Sequence, residues 1–96
     1  MLTHIVVWKY KPEITENERE EHRAKLRNLK GIIAEIIDFN VGADMLHLPR
    51  SYDTGLVATF ADQAGLDAYT VHPMHQEVAN LGKIIAEHVV SVDFIE

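Results

Sequence analysis

The chain has 96 residues, 47% of them apolar and 25% charged, with a net charge of −6 and no cysteine. That composition describes one globular domain and excludes a disordered tail, a phosphate-backbone binder and any disulfide, cysteine nucleophile or thiolate metal site. No apolar run approaches the ~20 residues needed to cross a bilayer. Residues 1–10 also lack a basic leader and a cleavage site, so the expectation is a cytoplasmic protein with no membrane or nucleic-acid partner.

Leu2 to Tyr10 is β-branched and aromatic and reads as a strand ended by Pro12. Thr15 followed by Glu18 is a capping box. Behind it His22, Leu26, Leu29 and Ile33 recur at helical spacing, which predicts an amphipathic helix over 16–31 closed by Gly31. A second strand is expected over 35–42, followed by a polar loop to Asp53 and a third strand over 54–61. Asp62 caps a short helix through Tyr69, Pro73 opens another to residue 86, and a fourth strand runs over 87–95. The order β-α-β-β-α-β, with a broken second helix, is that of an α+β ferredoxin-like fold: a four-stranded antiparallel sheet with helices on one face.

The strands alternate in a way that matters for assembly. His4, Val6, Trp8 and Tyr10 share one face of the first strand, and Ile5 and Val7 share the other. In the third strand Leu56, Ala58 and Phe60 oppose Val57 and Thr59; in the fourth, Val90, Val92 and Phe94 oppose Val89, Ser91, Asp93 and Ile95. Both faces are substantially apolar, yet the helices cover only one. The expected remedy is a homodimer through the open sheet face.

The segment Tyr69-Thr70-Val71-His72-Pro73-Met74-His75 places a phenol and two imidazoles around a backbone break. Imidazole titrates near neutrality, so this is a candidate proton-transfer site. Proline pushes the residue before it out of the α region, so His72 is expected to end one helix and Pro73 to begin the next.

The opening His4-Ile5-Val6-Val7-Trp8-Lys9-Tyr10-Lys11, the Ser51-Tyr52-Asp53 loop before a strand ending in Phe60, and Tyr69-x-x-His72-Pro73-x-His75 together resemble the stress-responsive A/B barrel (Dabb) family over nearly the whole chain. The resemblance implies a dimeric α+β barrel. It also implies a possible cofactor-independent reaction, since the family includes a cyclase that closes a linear polyketide-like thioester by aldol chemistry. Matched to that pattern, Tyr69 and His75 are the catalytic candidates, with His75 as base and Tyr69 as donor to a developing oxyanion. His4 is a pocket residue and Asp93 an orienting group. The implied small-molecule pocket lies between sheet and helices. Val6, Trp8, Leu56 and His72 are counted with His4 and Asp93 as ligand-binding residues, His72 also shaping the turn. Ala34-Glu35 stands where some plant members have a proline, so the carbonyl-bound metal of that region is not expected here.

No metal or organic cofactor is expected. His22, His47 and His88 share no ligand spacing, and Pro73 spoils the helical geometry that His72 and His75 would need as a metal pair. Glycine-rich phosphate loops and nucleophilic serine motifs are absent from the sequence. Two rivals stand beside the enzyme reading. One is a non-catalytic ligand-binding or stress-protective homodimer; the other is heme-dependent oxidation, which would need an axial histidine over an open cavity.

Overall fold

The computed structural model describes all 96 residues. Its elements are β1 (Leu2–Tyr10), α1 (Glu16–Asn28), β2 (Asp38–Ala43), β3 (Thr54–Phe60), α2 (Gln63–Val71), α3 (Pro73–Ile85) and β4 (Ala86–Ile95). The strands form one sheet in the order β2-β3-β1-β4, every pairing antiparallel, which is the ferredoxin-like arrangement. No helix is long and apolar enough to cross a membrane.

Local chemistry sets the helix ends. The Thr15 hydroxyl accepts from the Glu18 amide at 3.2 Å, and the Glu18 carboxylate accepts from the Thr15 amide at 3.1 Å, so α1 begins with a complete capping box. It leaves α-helical geometry after Asn28 and tightens into a 3₁₀ turn over Leu29–Gly31, shorter than the single helix the periodicity predicts. Asp62 caps α2 by accepting from the Gly65 amide. His72, extended at φ −61° and ψ 131°, separates α2 from α3, as expected of a residue before proline.

The second strand begins at Asp38 rather than at 35. The apolar run ahead of it is used differently: Ile33 and Ile36 are buried in an irregular turn, where the Ile36 amide donates to the Ile33 carbonyl. A run of isoleucines reads as strand, but here it plugs the core beneath the end of α1.

The core lies between the sheet and the helices. Register sets Leu2 opposite Phe60, His4 opposite Ala58 and Val6 opposite Leu56, so the inner faces of β1 and β3 form one surface. Leu26, Leu29, Ile33, Tyr69, Val78 and Ile85 close over it. At Gly82 the backbone of α3 meets β1 so closely that an added Cβ would lie 2.9 Å from Trp8 Nε1 and 3.1 Å from His22 Nε2.

A polar chain runs through one end of this core. Arg23, buried and held by Glu16 and Glu20, donates to the Thr54 hydroxyl at 3.1 Å. Thr54 and Tyr10 share a hydrogen bond of 2.9 Å, and the Tyr10 hydroxyl lies 2.7 Å from His22 Nδ1. Because guanidinium only donates, the direction is set: Thr54 donates to Tyr10 and Tyr10 donates to His22 Nδ1, which leaves the proton on the buried, unpartnered His22 Nε2. Burial, reinforced by the charges of Arg23 and Lys25, lowers the His22 pKa from 6.5 to about 4.

This lowering has a consequence for acid stability. The unfolded chain binds a proton at His22 near pH 6.5 and the folded one only near pH 4, so stability present above 6.5 is lost as pH falls through that window. A shift of that size corresponds to about 3 kcal/mol, and His22 is fully buried, so solvent does not screen it. In urea melts the wild type is expected to lose stability between pH 7 and pH 4.5. His22→Gln keeps an acceptor for Tyr10 but does not titrate, and should lose markedly less. Equal losses in the two proteins would contradict the assignment.

The other face of the sheet is open. Val57, Val90, Val92 and Phe94 are 41–53% exposed, beside the half-buried Ile5 and Val7.

Candidate active site

β1, β4, α2 and α3 converge on a cavity of about 230 Å³ between the layers. His4, Val6, Trp8, Tyr69 and His75 line it, together with Leu26, Thr70, Ala79, Lys83 and the Val89–Ser91 stretch of β4. Five of the residues singled out in the sequence, from His4 to His75, thus come together across most of the chain's length. The break at His72 is what permits this. Tyr69 lies in the last turn of α2 and His75 in the first turn of α3, and the bend folds one ring over the other with centroids 4.1 Å apart.

Each polar group is held in a defined state. His75 Nδ1 lies 3.0 Å from the Thr70 carbonyl, so it carries the proton and leaves Nε2 as an acceptor. Burial depresses the His75 pKa, helped by the nearby charges of His4, His72 and Lys83 and opposed by the Thr70 carbonyl. Its ring is therefore neutral at pH 7. Tyr69 is 2% exposed, and burial alone pushes its hydroxyl well above the usual phenol range. The phenol stays protonated, and its ring rests 5.2 Å from that of Phe60 and 5.9 Å from that of His4.

His4 and Asp93 are direct cross-strand partners of β1 and β4, and the Asp93 carboxylate accepts from His4 Nδ1. That bond fixes the His4 tautomer and leaves Nε2 as its remaining polar atom. Asp93 stands behind His4 and does not itself line the cavity.

Besides Asp93, two more of the expected ligand-binding residues are placed outside the cavity. Leu56 is 1% exposed and sealed into the core opposite Val6. His72 does not line the cavity either; its Nδ1 accepts from the Met74 amide at 3.1 Å and caps α3. Its place before Pro73 carried that signal. The lining residues not singled out in advance as site residues are Leu26, Thr70, Ala79, Lys83 and the Val89–Ser91 stretch. Their signals are periodic: His75, Ala79 and Lys83 recur every four residues on one face of α3, and Ser91 alternates in step with Val89 and Asp93.

A four-stranded antiparallel sheet, helices on one of its faces and a pocket between the two layers define a ferredoxin-like α+β protein. The stress responsive A/B barrel domain model matches residues 2–96, and the chain belongs to that family. It is 28% identical over 93 residues to olivetolic acid cyclase of Cannabis sativa, covering 95% of this chain and 92% of the cyclase. A dimeric ferredoxin-like protein of unknown function from Thermobifida fusca is similar in structure, with a TM-score of 0.90 at 25% identity, covering 99% of this chain and 90% of that one. The fold also resembles that of the hydroxynitrile lyase of Passiflora edulis, with a TM-score of 0.89 at 21% identity and coverage of 99% and 92%. Several of the similar solved structures are dimeric ferredoxin-like proteins.

Proposed function

We propose that this single-domain protein works in the cytoplasm as a homodimer closed through its open sheet face, and that each subunit binds a small, largely apolar carbonyl compound and abstracts a proton next to its carbonyl without a metal or organic cofactor. The observation that carries the reading is the pairing of a neutral imidazole with a free Nε2 and a protonated phenol in one cavity. In that step His75 Nε2 takes the proton from the α carbon. The C–H electron pair moves into the enolate, and the enolate oxygen accepts a hydrogen bond from the Tyr69 hydroxyl. His4, oriented by Asp93, supports a second polar position on the ligand. The relative that is a cyclase fits this class of chemistry.

A non-catalytic binding dimer is the second reading. It gains support from the near-complete burial of Tyr69, which would also suit a packing aromatic. Deuterium incorporation separates the two. In D₂O, wild-type protein should accelerate exchange of the α-protons of 4-acetylbenzoate, followed by NMR. Binding of that compound without any acceleration would select the non-catalytic reading.

A further inference from the structure

We propose that Lys83 makes this pocket selective for a carbonyl compound that also bears a carboxylate, seated with its anionic end on the Lys83 ammonium and its carbonyl end toward Tyr69. The inference rests on the pocket being a carbonyl site and names the substrate class it takes. Among the lining residues Lys83 is the one with a permanent charge, and none of them is acidic, although the whole chain carries a net charge of −6. The cavity wall is otherwise apolar or neutral, so the charge of this cation at the exposed edge is opposed by no lining carboxylate.

Placement on the helix points the same way. Lys83 follows His75 by two turns on the same face of α3, with Ala79 between them. The small Ala79 leaves room along that face, so a ligand reaching from His75 to Lys83 lies along the helix. Lys83 is exposed and enters none of the chain's ion pairs, in contrast to Lys25, which pairs with Glu21 one turn away. A phosphate would call for more donors than one ammonium and a few neutral groups, whereas a carboxylate is matched by a single cation and a neighbouring hydroxyl such as Ser91. The Lys83 charge is also one of the causes that depress the His75 pKa. A carboxylate docked on Lys83 would cancel that influence and make the base stronger when the right ligand is bound.

The test uses matched probes, 4-acetylbenzoate and its methyl ester, titrated calorimetrically into the intact protein and into Lys83→Met and Lys83→Glu. The exposed position of Lys83 keeps both variants folded, which circular dichroism checks. Wild type should bind the acid roughly ten-fold tighter than the ester at low salt, and the preference should shrink as ionic strength rises. Lys83→Met should abolish the preference and Lys83→Glu should reverse it. Equal binding of acid and ester by wild type, or a preference that survives in Lys83→Met, would overturn the inference and leave the carbonyl reading standing. Failure of both probes to bind would overturn the two together.

Discussion

His75→Ala is expected to slow the α-proton exchange of a bound ketone by about 10² to 10⁴-fold, the range a positioned general base supplies. The side chain is half-buried at the start of α3 and hydrogen-bonds the Thr70 carbonyl, so its loss costs one local contact and leaves the fold intact. Tyr69→Phe keeps the buried ring and removes only the hydroxyl, and should lower the rate by about 10² or more through the lost oxyanion contact. The pH profile supplies a further check. The base works while His75 is neutral, and burial holds its pKa below 6.5, so the rate should stay level on descending through neutrality and fall only at more acidic pH. An unchanged exchange rate in His75→Ala would remove this residue from the chemistry.

Val92→Asp is expected to split the proposed homodimer. In the register Val92 faces Ile5, and Ile5 faces Val57, so the three side chains cross the middle of the open sheet face. Val92 is 53% exposed in the single subunit, where an aspartate meets water and costs little. Against a second apolar sheet the same carboxylate loses its hydration with no cation opposite, at about 3 kcal/mol or more. A two-fold interface contains the substitution twice, so the dissociation constant should rise by roughly four powers of ten. Sedimentation velocity at micromolar concentration should show wild type as a dimer and Val92→Asp as a monomer. A dimer that persists in the variant would move the interface to another surface.

Much of this architecture is legible in the sequence because the signals are local. Thr15 with Glu18 marks a helix start, His72-Pro73 marks a helix break, and the two-residue period of a strand puts His4, Val6 and Trp8 on one face of β1. What periodicity misreads is the isoleucine run before β2, where burial in a turn and burial in a strand look alike. The buried chain from Arg23 through Thr54 and Tyr10 to His22 is beyond local reading, since it depends on strand register joining residues 44 positions apart. His22 reads as one member of an apolar helical stripe, and only the fold reveals that it is hydrogen-bonded and held neutral.

The site divides in the same way. Tyr69 and His75 stand out because a titratable pair around a proline is unusual, and the geometry brings their rings to 4.1 Å. The pairing of His4 with Asp93 follows from β1 and β4 being neighbours, which a ferredoxin-like order already requires. Leu56 shares a face with pocket residues but lies deeper, so face assignment alone does not separate a wall from the core beneath it. Lys83 does not stand out in the sequence because a lysine near a helix end reads first as a partner of the helix dipole.

The most direct measurement is a crystal structure of the protein with 4-acetylbenzoate soaked in. The account predicts the compound in the cavity between sheet and helices, its carbonyl oxygen within hydrogen-bond reach of the Tyr69 hydroxyl and its α carbon facing His75 Nε2. A compound bound elsewhere, or bound in the cavity with its carbonyl turned away from both side chains, would contradict it.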